Sequence, residues 1–226
     1  MQNLEAIGLL NDPVRRELYE YVASRGAEVG RNEAAEAVGV QRTLAAFHLD
    51  RLAEAGLLEV AYRRLTARAG PGAGRPAKLY RRAAKERVVS VPPRDYARAA
   101  RVLADAVERS GAEKALYDVA RLHGAAAGRA LEQAASDASS VVLENLKRDL
   151  VERGYEPFAG EHAQLRLRNC PFDSLARDFP VVACGMNLAL LDGMLSGAGL
   201  AATHEAILDP RPGQCCVALA SKNKKH

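Results

Sequence analysis

Four cysteines carry the chemistry open to this chain. Cys170 and Cys184 bracket the stretch NCPFDSLARDFPVVAC, and Cys215 and Cys216 follow as QCC. A thiolate is a soft ligand for zinc, copper(I) and iron–sulfur centres, and it is also the reactive form in disulfide exchange. Thirteen residues separate Cys170 from Cys184 and thirty separate Cys184 from Cys215, so the short Cys-x-x-Cys knuckle of a zinc ribbon is absent. Iron–sulfur clusters need no such short spacing, and three thiolates with one further donor suffice. Three readings follow: cluster or metal ligation by Cys170, Cys184, Cys215 and Cys216, thiol redox switching, or burial of the thiols as small hydrophobes.

The elements that must position these thiols form a small mixed region. SSVVLENLKRDLVERG reads as an amphipathic helix stopped at Gly154, followed by short strands in YEPFAGE and AQLRLRNC. FDSLARD and VACGMNLALLDGMLSGAG read as helices, and HEAILDP and QCCVALAS as closing strands with a turn at RPG. Cys170 then ends a strand, Cys184 sits at a helix start, and Cys215 and Cys216 open the last strand. Alternation places Cys215 on the apolar side with Val217 and Leu219, and Cys216 on the other with Ala218 and Ala220. Cys215 is therefore the expected inward ligand, and Cys216, Asp173 or an exogenous donor remain open as the fourth.

At 226 residues, 48% hydrophobic and 27% charged, the chain is globular and has room for more than one core. The N-terminal MQNLEAIGLLNDPVRREL becomes charged too soon for a secretory signal, and no stretch matches the roughly 18 uncharged apolar residues of a membrane span. A cytoplasmic protein is expected, whose cysteines stay reduced. No Gly-rich phosphate loop and no local nucleophile motif is present, so no enzymatic activity is expected.

The net charge of +4 is unevenly placed. Residues 1 to 87 hold 15 Lys and Arg against 11 Asp and Glu, while the remainder is balanced at 17 of each. Positions 61 to 85 carry eight basic residues and no acidic one, the footprint of a polyanion-binding surface. Upstream, Asn11 or Asp12 followed by Pro13 starts a helix that Gly26 ends, and RNEAAEAVG makes two turns from a cap at Asn32 to a stop at Gly39. QRTLAAFHLDRLAEAG follows at once. Its Ala45, Leu49 and Leu52 form a core stripe, while Thr43, Ala46, Phe47 and Asp50 lie opposite and Gln41 and Arg42 stand at the exposed start. Two helices joined by a tight glycine turn, followed by strands in GLLEVAYRRLTAR and AKLYRRAA around AGPGAGRP, predict a winged helix-turn-helix.

The pieces RTLAAFHLDRLAEAGLLE and GAGRPAKLYRRA resemble the winged helix of ArsR-like bacterial transcription regulators, in the subset with a Gly-Arg-Pro wing tip. The likeness spans about residues 4 to 87. It implies a DNA-binding regulator acting as a homodimer on an inverted repeat. The base-edge candidates are Gln41, Arg42 and Thr43, which enter the major groove first, with Ala46 and Phe47 behind them. Arg75 at the wing tip is placed for a minor groove, and Arg63, Arg64 and Lys78 for phosphates. His48 is expected to be packed or phosphate-bound rather than a metal ligand.

Between the two regions, PPRDYARAARVLADAVERSG and AEKALYDVARLHGAAAGRALEQAA read as helices with apolar faces suited to subunit association. The expected organisation is thus α+β: a winged helix-turn-helix over 1–87, a helical dimerisation segment over 88–138, and a small α+β sensor domain over 139–226. The whole arrangement is similar to the repressors of iron–sulfur assembly operons, which sense an iron–sulfur cluster through spaced C-terminal cysteines. This chain departs from them in its thirty-residue last interval and in Asp173, where a histidine would be expected.

Overall fold

The computed structural model describes residues 2–64, 76–133, 139–161 and 164–222. The chain mixes helices with two small antiparallel sheets and divides into two units, Met1–Arg94 and Asp95–His226. Helices expected as a segment of their own between two domains belong to the second unit.

In the first unit, α1 (Gln2–Gly8) runs through a 3-10 turn into α2 (Pro13–Arg25). The Asp12 carboxylate accepts the Arg15 N–H at 2.9 Å, with proline at the first turn, and Gly26 closes the helix in the left-handed conformation. Next come β1 (Val29–Gly30), α3 (Arg31–Val38) and α4 (Arg42–Glu54). Here α3 starts from Gly30 without a side-chain cap, rather than from Asn32. Gly39 takes φ 74 and returns its N–H to Ala35 and Glu36, the sharp corner that lets α4 follow so soon.

β2 (Leu58–Arg63) pairs with β3 (Ala77–Arg82) from Leu58↔Arg82 to Arg63↔Ala77. Two residues from β1 add a third strand, giving the order β1-β3-β2. Leu18, Val22, Ala34, Ala45, Leu49, Leu52 and Tyr80 make the core, so the expected Ala45/Leu49/Leu52 stripe faces inward. The basic segment after Arg82 is anchored through Arg87, which donates to the Ala55 carbonyl and to Asn3 Oδ1.

In the second unit, α5 (Tyr96–Ser110), α6 (Glu113–Gln133) and α7 (Ser139–Glu152) precede β4 (Pro157–Ala159) and β5 (Gln164–Leu167). Then come α8 (Asp173–Ala176), α9 (Pro180–Gly197), β6 (His204–Leu208) and β7 (Val217–Ser221). The sheet has order β4-β5-β7-β6, antiparallel throughout. Leu146 and Leu150 of α7 and Leu191, Met194 and Leu195 of α9 bury against Leu167, Val217 and Leu219 of the sheet.

α6 and α9 run side by side at backbone contact. A Cβ added to Gly124 would lie 2.0 Å from the Leu190 carbonyl oxygen, and one on Gly193 would lie 2.2 Å from that of Arg121. Only glycine admits this approach, and Gly128 and Gly197 repeat it one turn on. Tyr117 donates to the Val181 carbonyl at 2.8 Å and Arg121 to Asp192 at 3.1 Å, fixing the register of the two helices. By length and composition α9 is apolar enough to cross a membrane, but half of that window is buried inside the unit, as in a core helix.

Candidate thiol centre and candidate nucleic-acid interface

The four cysteines, far apart in sequence, meet in the second unit, all as free thiols. Cys170 lies in the turn after β5, Cys184 in the first turns of α9, and Cys215 and Cys216 just ahead of β7. Backbone bonds extend the sheet to this point: the Cys215 N–H donates to the Leu167 carbonyl at 2.9 Å, and the Asp209 N–H to the Cys216 carbonyl at 2.8 Å. Cys215 is fully buried on the Val217 and Leu219 side, whereas Cys216, Cys170 and Cys184 are half-buried. Cys170 and Cys216 lie within interaction range of Cys215, and Cys184 within that of Cys216.

Cys215 is the acceptor at the middle of this group. Hydrogen bonds from Cys170 and Cys216, helped by the Val217 N–H at 3.5 Å and the Asn187 amide at 3.3 Å, outweigh burial and bring its thiol down to about 3. Cys170 and Cys216 go the other way, because each donates its proton to Cys215 and each is buried. Burial also raises Tyr155, whose hydroxyl donates to Asn187 Oδ1 at 2.5 Å.

The loop bearing Cys215 and Cys216 is held by Arg166. This side chain on β5 is 2% exposed. It donates to Gln214 Oε1 at 2.5 Å, to the Asp209 carbonyl at 2.8 Å, to Gln164 at 3.3 Å, and to the Asp209 carboxylate. Both ends of the 209–214 turn are thereby tied to β5. Asp173, considered as a fourth donor, instead accepts from Arg177 at 2.5 Å and is about half exposed. Among the described residues, no group of three or more His, Cys, Asp or Glu side chains stands arranged as a metal-binding set. The donor chemistry itself, thiolates alone, suits iron–sulfur ligation.

In the first unit, the start of α4 is open to solvent. Gln41 is its N-cap without a side-chain cap bond, and Gln41, Arg42 and Thr43 are all exposed. Ala46 is half-buried behind them, and Phe47 is 56% exposed with its ring edge-on to His48 at 5.3 Å. His48 is buried, and its Nδ1 accepts from Arg15 Nε at 3.2 Å, which requires an unprotonated Nδ1; burial lowers its pKa. The packed role expected for it is what the geometry gives.

The basic strands are partly neutralised. Lys78 Nζ lies 2.6 Å from Asp50 on α4, which also accepts from the Tyr80 hydroxyl at 2.5 Å and faces Arg31 at 3.8 Å. Arg63 pairs with Glu28 at 2.9 Å, and Arg81 with Glu59 at 2.8 Å. Arg64 is exposed, and Arg75 lies outside the described residues. Asp50, Tyr80 and Arg31 thus lock the start of α3, α4 and β3 together, which the sequence reading missed. Asn187, Tyr155 and Arg166 were missed too, although each is a polar group inside an apolar stretch, as in MNLALL and QLRLR. No family model, curated protein or solved structure matches the chain.

Proposed function

We propose that this protein is a DNA-binding transcription regulator whose operator affinity is tuned by an iron–sulfur cluster held by Cys170, Cys184, Cys215 and Cys216. The observation that carries the sensing part is the meeting of four free thiols from three distant segments, with Cys215 fully buried among them. DNA binding is supported by the exposed Gln41–Arg42–Thr43 start of α4, behind a tight Gly39 corner and beside a basic hairpin. On this reading the first unit is a winged helix-turn-helix, α4 enters the major groove, and the paired Lys78 and Arg63 hold register while Arg42 and Gln41 read bases.

A homodimer on an inverted repeat is part of the proposal, in the cytoplasm. Its supporting feature is the exposed apolar face of α5 and α6, which carries Tyr96, Val102, Leu103, Val119 and Leu122. When bound, the cluster supplies a group whose loss or oxidation is chemically detectable. The chain's own part is to present Cys215 from a turn bolted by Arg166, with Cys184 carried on a core helix. A changed thiol centre then alters the packing of α9, and through the α6 contact the face used for pairing.

A second reading is favoured by the direct contact between Cys170 and Cys215. A thiolate against a thiol is the arrangement for a disulfide switch, in which hydrogen peroxide takes two electrons and the single thiol proton from the pair, forms the S–S bond and leaves as water and hydroxide. Anaerobic purification and reconstitution with iron and sulfide separate the two. Visible absorption and stoichiometric iron and sulfide, both lost in Cys215→Ser and Cys184→Ser, are expected. A colourless, iron-free protein that gains a Cys170–Cys215 disulfide with peroxide would establish the second reading instead.

A further inference from the structure

Asn187 is fully buried on α9, a helix whose other buried positions are valine, alanine, leucine, methionine and glycine. An amide in such a place is costly unless both its ends are used. Both are: Oδ1 accepts from the Tyr155 hydroxyl at 2.5 Å, and Nδ2 donates to Cys215 Sγ at 3.3 Å. Tyr155 is itself 2% exposed. The two polar groups form a closed relay from α7's end to α9, terminating on a sulfur. A neutral thiol is a weak acceptor, whereas a thiolate bound to metal is a strong one. A Leu and Phe pair would pack the same space without any polar group to satisfy.

Asn187 also stands one helical turn after Cys184 on α9, so one helix face presents both a ligand sulfur and the donor to a second ligand sulfur. We propose that Asn187 is a positioning residue of the thiol centre: oriented by Tyr155, it fixes the Cys215 sulfur and, through its N–H···S bond, raises the reduction potential of the metal centre bound there. The inference rests on the reading of the cysteines as metal ligands. Its physical basis is that reduction puts more negative charge on the ligand sulfurs, so an N–H donor stabilises the reduced form more than the oxidised one.

The test uses the full chain reconstituted anaerobically with iron and sulfide, as wild type, Asn187→Leu, Asn187→Asp and Tyr155→Phe. Asn187→Asp keeps the shape and the acceptor for Tyr155 but loses the N–H, which covers the case in which Asn187→Leu fails to fold. The expected result is unchanged iron content with a lower midpoint potential in Asn187→Asp and Asn187→Leu. The reduced-to-oxidised ratio at fixed potential should fall about tenfold, which is ~59 mV for a one-electron couple. Tyr155→Phe should shift it less, in the same direction. Equal potentials in wild type and both Asn187 variants overturn the inference.

Failure of wild type to take up iron and sulfide counts against the cluster itself and is read separately. Cobalt(II) then serves as the probe, and the thiolate-to-cobalt absorption of wild type should move in Asn187→Asp. No such absorption in wild type, or the same band in the variant, overturns the inference as well.

Discussion

Replacing Arg166 by methionine tests whether the buried clamp holds the cysteine-bearing turn. Methionine keeps most of the apolar stem and removes four hydrogen bonds, to Gln164, Gln214 and both the carboxylate and the carbonyl of Asp209. Breaking a buried ion pair from one side costs about 3–5 kcal/mol when the partner is left unpaired in the interior. Asp209 is 31% exposed on its side chain, and Arg211 lies 3.4 Å away, so it is partly rehydrated and partly re-paired. The expected loss is therefore about 3 kcal/mol, at the lower end of that range.

For a unit of this size 1 kcal/mol moves the midpoint by about 2–8 °C, so the unfolding transition should fall by roughly 6–24 °C in scanning calorimetry. The double variant Arg166→Met/Asp209→Leu should recover part of the loss, because both charges are then gone. A single variant within about 0.5 kcal/mol of wild type, or a double variant less stable than the single, would refute the reasoning. On the cluster reading the single variant should also bind iron more weakly, because the turn ahead of Cys215 then keeps only backbone bonds to β5.

Three further outcomes are expected. Gly193→Ala puts a Cβ 2.2 Å from the Arg121 carbonyl oxygen, so it should cost about 1–3 kcal/mol by forcing α6 and α9 apart, read by urea unfolding. Arg42→Ala should weaken binding to a duplex selected from random sequence by about 1–3 kcal/mol and relax preference at one base pair, while Arg63→Ala, already paired with Glu28, should weaken all sequences more evenly. The metal-free protein should show thiolate absorbance near neutral pH that Cys215→Ser removes. Since the folded thiol lies near 3 against 9.0 unperturbed, this group adds stability fully above about pH 9 and loses it as pH falls toward 3, whereas the raised Cys170 and Cys216 oppose further gain at higher pH.

Helix and strand identity was legible wherever the apolar period was clear. Ala45, Leu49 and Leu52 do face the first core, and Val217 and Leu219 carry Cys215 inward with them. The cap of α3 was misread at Asn32 because β1, only two residues long, recruits Gly30 into the sheet first. A two-residue strand has no period to detect. The central helices read as a separate segment because composition sees alanine, while the glycines at 124, 128, 193 and 197 bring α6 onto α9 through a long-range pairing no local pattern records.

At the thiol centre the cysteines and their faces were legible from residue type and alternation. Asn187, Tyr155 and Arg166 were not, because what gives each its role is burial beside a partner 32 or 43 residues away. Likewise a count of basic residues over 61–85 cannot show that Lys78 is met by Asp50 from another element.

Whether the state of the thiol centre sets DNA affinity is read by comparing one preparation before and after iron removal on the same selected duplex at fixed salt. A change of about 5- to 150-fold in dissociation constant is expected, abolished by Cys215→Ser. Equal affinity with and without iron, with Cys215→Ser binding DNA as wild type does in both states, would contradict it.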